Sequence, residues 1–185
     1  DEAEIFLEDF FTSINQQDTN EFDLLIIYDN ASPINYPSLN INIRELKIEH
    51  KLKQSEIRQE GILYVKKNNY RNLIFSDIDD YFSNNRISST IKELRKNDFV
   101  FNEISLVSQN GKLIQENYSQ KLYINKEILS YKQIIDFNNF GLTNTGINLR
   151  SLKNLPAAGS GKTTSISFAN FLKLISNSCL SSSFS

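Results

Sequence analysis

Leu73-Ile74-Phe75-Ser76-Asp77-Ile78-Asp79-Asp80 is the stretch on which the reading of this chain turns. Three consecutive apolar residues predict a short strand buried on both faces, and it runs straight into an acidic turn. Side chains alternate along an extended segment, so Asp77 and Asp79 are expected to point the same way while Ile78 faces the core. Two carboxylates on one side of a strand end suit a hard divalent cation. Magnesium and manganese take oxygen ligands and commonly share them between a carboxylate or two and substrate phosphates. A metal held this way would neutralise a diphosphate and stabilise it as a leaving group. Asp80 is expected to point away and cap the next helix. An isolated D-x-D is more often a solvated acidic turn. The apolar strand before this one, and a second acidic strand end at Asp29, weigh toward a site.

That second strand end closes the run Leu24-Leu25-Ile26-Ile27-Tyr28, which reads as another strand buried on both faces and stops at Asp29-Asn30-Ala31-Ser32-Pro33, a turn sequence. Ahead of it, Ile5, Phe6, Phe10 and Ile14 recur at helical spacing and predict a helix over residues 4–16. Leu46-Lys47-Ile48 reads as a short strand, and residues 54–68 as a helix with Ile57, Gly61 and Val65 on one face. Beyond the acidic turn a helix is expected over 87–96. Strands are expected over Asp98 to Val107 and Lys112 to Tyr118, joined by a turn at Gln109-Asn110-Gly111. Strands alternating with helices predict an α/β layer fold with a mostly parallel sheet, in which ligands bind beyond the carboxyl ends of the strands.

The bulk properties narrow the chemistry further. With 185 residues the chain has the size of one domain, and its 39% hydrophobic and 23% charged content is ordinary for a soluble protein. A net charge of -2 gives no basic footprint for nucleic acid. One cysteine, Cys179, and one histidine, His50, exclude a Cys/His zinc cluster and any nucleophile–histidine engine that does not run through His50. The lone cysteine fits a reducing cytoplasm. No apolar run reaches the ~20 residues needed to span a bilayer. The chain starts at Asp1, directly inside a helical pattern, which reads as a fragment.

Several motifs, in order, resemble the family-2-like glycosyltransferases of the nucleotide-diphospho-sugar (GT-A) fold. Asp23-Leu24-Leu25-Ile26-Ile27-Tyr28-Asp29-Asn30-Ala31-Ser32-Pro33 is similar to the family's second strand and turn. Glu56-Ile57-Arg58-Gln59-Glu60-Gly61-Ile62 is similar to its A-R-N-x-G-I helix start, with Gln59 in place of the usual Asn. Ile74 to Asp80 resembles I-x-F-L-D-x-D-D, with Arg86-Ile87 echoing a later R-L. The resemblance covers about residues 5–150. It implies a three-layer α/β/α sandwich with a mostly parallel mixed sheet, and a transfer of sugar to a hydroxyl on a glycan, lipid or protein acceptor, with inversion. It further implies Mn2+ or Mg2+ held by Asp79 and Asp77, and a donor nucleotide met by Asp29, Asn30, Arg58 and Asp77. Peripheral contact with a membrane surface is compatible with such an acceptor. Two features depart from the family. Its first strand is missing ahead of residue 5, and no Asp or Glu follows Asp136, so the catalytic base is unassigned. Glu103 and Glu116 are the nearest substitutes.

Composition changes from about residue 157, where nine of the last 29 residues are serine. Residues 1–156 are therefore read as the binding domain and 157–185 as a separate tail. Ala157-Ala158-Gly159-Ser160-Gly161-Lys162-Thr163-Thr164 looks like a phosphate loop, which would make the chain an NTPase fragment around Lys162. Against this, Pro156 stands where the first glycine belongs, and no acidic residue follows to hold the metal water. A truncated domain that binds donor without turnover is the other alternative.

Overall fold

The computed structural model describes residues 4–108, 110–118 and 144–151. The first helix, α1 (Glu4–Asn15), presents Phe10, Phe11 and Ile14 to the interior. Strand β1 (Asp23–Asp29) follows and pairs in parallel with β2 (Asn42–Ile48), in register from Asp23↔Asn42 to Asp29↔Ile48. Only the last three residues of β2 look like a strand in sequence, because Asn42, Arg44 and Glu45 are exposed and polar. Charge of this kind suits a sheet edge, which β2 forms. Helix α2 (Gln54–Lys67) starts where the Glu56 carboxylate accepts the backbone N–H of Lys53 at 2.7 Å. Lys66 and Lys67 complement its dipole in the last turn.

In a second sheet β7 (Thr145–Asn148) lies antiparallel between β3 (Asn72–Ile74) and β4 (Phe99–Phe101). Helix α3 (Arg86–Leu94) buries Arg86, Ile87, Thr90 and Leu94, a stripe at helical spacing. Strands β5 (Leu106–Val107) and β6 (Leu113–Gln115) form a small antiparallel hairpin.

The fold is thus mixed α/β with small sheets, some pairs parallel and some antiparallel. Among the described residues the mostly parallel sheet expected from the sequence is not what forms, since one strand pair is parallel and three are antiparallel. The expected strand from Asp98 to Val107 is two separate strands, and β4 joins β7 rather than the hairpin. Strand β7 had no counterpart in the sequence reading. Of the expected hairpin turn, Gln109 lies outside the described residues, as do 152–185 with the phosphate-loop-like segment, Lys162 and Cys179.

Side chains of β1 and β3 alternate between two apolar clusters. Leu24, Ile26 and Ile74 join Phe10, Phe11, Ile14 and Ile87 on one side. Leu25, Leu73 and Phe75 join Ile62, Val65 and Leu149 on the other. This is the period-two pattern of strands covered on both faces. Even so, Leu24 to Ile27 and Leu73 to Phe75 are only half-buried. The cause is a cavity of about 650 Å³ that reaches both strands.

Candidate functional site

The acidic segment forms a tight turn, not an extended strand end. Asp80 donates its backbone N–H to the Asp77 carbonyl at 3.2 Å, and the Asp80 carboxylate accepts the Asp77 N–H at 3.3 Å. This geometry corrects two expectations. Ile78 sits at the turn's tip, 36% exposed, instead of facing the core. Asp80 closes its own turn, while the helix that follows begins only at Arg86, after Asn85.

Arg58, in the first half of α2, brings its Nη2 to 3.5 Å from Asp77 Oδ1. The arginine side chain is only 12% exposed, the aspartate 43%. Burial against the cavity wall pushes the Asp77 carboxyl above its ordinary value. Arg58 opposes that shift, and the neighbouring charge of Asp79 adds to it. Asp77 and Arg58 line the cavity, together with Gln54 and Ser76. Asp79 is exposed on the turn.

Asp29 ends β1 in solvent, where its Oδ1 accepts a hydrogen bond from Asn30 Nδ2 at 3.1 Å. Asn30 takes a left-handed backbone, φ 49°, which asparagine tolerates better than most residues. Its N–H bonds the Ile48 carbonyl at 3.1 Å and ties the turn to the end of β2. Asp29 and Asn30 do not line the cavity, so the structure joins Arg58 with Asp77 but not with this turn. Among the described residues no group of three or more His, Cys, Asp or Glu could hold a metal. Asp77 and Asp79 could therefore supply at most part of a coordination shell, with the rest coming from phosphate oxygens and water.

Two polar clusters escaped the sequence reading. At the amino end of β1, Asp23 accepts hydrogen bonds from Tyr70 Oη, Asn42 Nδ2 (3.0 Å) and Arg44 Nε (3.1 Å). The Tyr70 bond does most to hold its carboxyl below the usual range, against the opposing effect of burial. Tyr70 is correspondingly pushed up, chiefly by the same bond. Beneath α3, the buried Arg86 gives Nη1 to Thr90 Oγ1 at 2.9 Å and lies 5.4 Å over the Phe82 ring. Burial lowers its pKa to about 10, against the attraction of Asp80, and it stays cationic at neutral pH. The four-residue spacing of Arg86 and Thr90 on one helix was the only sequence signal for this contact.

No helix among the described residues is long and apolar enough to cross a membrane. No family model, no curated protein and no solved structure matches the chain.

Proposed function

We propose that this chain binds a nucleotide-diphosphate sugar through Mn2+ or Mg2+ at the Asp77–Asp79 turn, as a glycosyltransferase-type donor domain. The observation that carries the reading is the pairing of Arg58 of α2 with Asp77, shortly after β3, both lining the cavity. A half-buried cation beside an acidic turn suits a metal diphosphate, whose metal would take the carboxylates and whose phosphates would meet the arginine. The alternation of β1 and β3 side chains between helices on two sides supports a three-layer arrangement. In such layers donor sites lie at the carboxyl ends of the strands, where Asp29 and Asp77 stand. The transfer would go to a hydroxyl on a glycan, lipid or protein acceptor.

The test is calorimetry of uridine diphosphate with and without manganese, on wild type and Asp79→Ala. The expected result is binding that depends on the metal, with that dependence abolished in the variant. Removing one ligand of a hard cation leaves diphosphate charge uncompensated, an effect of roughly several kcal/mol. Equal binding by the two proteins would sink the assignment.

A further inference from the structure

We propose that Gln17 is a positioning residue for the Asp77–Asp79 turn, acting through its hydrogen bond to the Ser83 carbonyl; the inference rests on the donor-site reading above. On its entry side the turn is tied to the sheet, where Phe75 donates its N–H to the Thr145 carbonyl at 2.9 Å. On its exit side the segment from Tyr81 to Ser88 is held by the end of α1 and the residues after it. Tyr81 Oη donates to Gln16 Oε1 at 2.9 Å, the Asp18 N–H to the Asn84 carbonyl at 2.8 Å, and Ser88 Oγ to Asp18 Oδ2 at 2.9 Å. The buried Phe82 meets Phe10 of α1 edge to face, ring centroids 6.4 Å apart. Gln17 joins the two sides at two further points.

Its carboxamide works at both ends. Nε2 donates to the Ser13 carbonyl at 3.0 Å and to the Ser83 carbonyl at 2.9 Å, while Oε1 accepts the Ile87 N–H at 3.1 Å. Helix ends leave backbone groups without intrahelical partners. The Gln17 N–H goes to the Ile14 carbonyl, so the Ser13 carbonyl in the last turn of α1 is left for the side chain. Ile87 lies in the first turn of α3, where Asn85 makes no side-chain cap. One side chain thus closes two helix ends and keeps a donor for Ser83. The chemistry needs two donors and one acceptor on one arm, which a carboxamide offers. A carboxylate lacks the donors and an ammonium lacks the acceptor.

The Ser83 bond bears on the turn because so little chain separates them. Only Tyr81 and Phe82 stand between Asp80 and Ser83, and Asp80 closes the turn through its N–H and its carboxylate, both bonded to the Asp77 backbone. Those two bonds are long, at 3.2 and 3.3 Å, so the turn depends on what anchors its two ends. A hard divalent ion takes carboxylate oxygens in a narrow geometry, and ligands held in advance by a supporting shell bind it best. As a helix cap alone, Gln17 would need only Oε1. As a positioning residue it needs Nε2.

Gln17→Glu separates the two roles. At neutral pH the carboxylate keeps an acceptor for Ile87, and negative charge suits a helix start, but it has no donor for Ser83. The experiment uses the full 185-residue chain. Nitrogen-15 relaxation is measured without ligand, and calorimetry follows uridine diphosphate with manganese where both proteins remain folded. Order parameters over 77–82 are expected to fall from about 0.85 in wild type to below about 0.6 in the variant, with 145–148 unchanged. Affinity for the metal diphosphate should weaken roughly tenfold, the upper end for one hydrogen bond. Gln17→Ala should loosen the turn as much and also lower the denaturant midpoint, since it loses the cap. Wild-type order parameters or wild-type affinity in Gln17→Glu would reduce Gln17 to a helix cap and overturn the proposal. Loosening that spreads equally to 145–148 would mark a general loss of packing and overturn it too. A wild type that binds no metal diphosphate would sink the donor reading itself, and relaxation would then decide whether Gln17 holds the turn.

Discussion

Asp77 is the residue on which both the electrostatics and the proposed chemistry converge. Its folded pKa lies above the ordinary 3.8, so its neutral form is favoured by folding. The ionised form carries a stability cost that is present at neutral pH and relieved as pH falls through the raised value. A metal needs the carboxylate, so manganese affinity should weaken on acidification, starting at a higher pH than an unperturbed aspartate would give. Calorimetric titrations over a pH series would show this, and an affinity that stays constant throughout the acid range would contradict it. Arg58→Ala removes the opposing cation, and the Asp77 carboxyl should then titrate higher still by carbon-detected NMR. Asp23 has the opposite sign. Its lowered pKa stabilises the fold above the unfolded-state value, and this contribution is lost as pH falls through the folded value. Tyr70→Phe deletes the main cause and should cost about 1–2 kcal/mol at pH 7. That deficit should narrow in strong acid, where a urea series would detect it.

Two glycines separate the tolerant element from the intolerant one. A Cβ at Gly61 of α2 would stand 2.6 Å from Ile27 Cδ1. Ile27 borders the cavity and can turn aside into it. The off-rotamer cost of ~0.5–1.5 kcal/mol then roughly offsets the ~1 kcal/mol that alanine gains in a helix. Gly61→Ala should be close to neutral. At Gly146 of β7 the same atom would meet Thr90 Cγ2 at 2.5 Å and Leu94 Cδ1 at 3.3 Å. Thr90 cannot rotate freely, since its Oγ1 donates to the Arg86 carbonyl at 2.7 Å and accepts from Arg86 Nη1. Both Thr90 and Leu94 are fully buried. Gly146→Ala should therefore destabilise by about 1–3 kcal/mol. Denaturant midpoints of the two variants compare them directly, and a Gly146→Ala protein as stable as Gly61→Ala would show that α3 yields.

For the whole molecule, the cavity sets the energetics. Sealed and dry, 650 Å³ of void at ~24 cal/mol per Å³ would cost about 16 kcal/mol, beyond the ~5–15 kcal/mol stability of a typical domain. The cavity must therefore admit water, and the strands beside it should open most readily. Amides of β7, paired on both sides and buried, should exchange more slowly than those of β1 and β3, as residue-resolved hydrogen exchange would test. Donor consumption by this chain should also be slow even where donor binds. Of the two substitute bases, Glu103 accepts the N–H of Ile104 and Glu116 is exposed at the hairpin. Loss of a general base typically lowers turnover ~10²- to 10⁴-fold without removing binding. Robust transfer across an acceptor panel would overturn that expectation.

Local order in this chain belonged to the sequence. The helical spacing of Phe10 and Ile14, the apolar run from Leu24 to Tyr28, and Leu73-Ile74-Phe75 each placed an element within a residue or two of where it lies, because periodicity and burial are local properties. The fragment Asn42-Ile43-Arg44-Glu45 was illegible as strand, since an edge strand can be polar and is fixed by its partner's hydrogen bonds. Strand β7 was hidden for the reverse reason. Thr145, Gly146 and Ile147 carry no strong strand signal, and their place between β3 and β4 depends on residues more than 40 positions away. The D-x-D carboxylates were legible in sequence as charge just beyond a strand end, but their geometry was not. A backbone bond within four residues turned the segment, and the meeting of Arg58 with Asp77 arose as α2 packed in one apolar cluster with Leu25, Leu73 and Phe75. Sequence alone determined the helices and the apolar strands β1 and β3, and which residues could bear charge at their ends. Only the tertiary structure decided which of those charges meet and that β1 and β3 border one open cavity, because both depend on long-range packing, which no local pattern encodes.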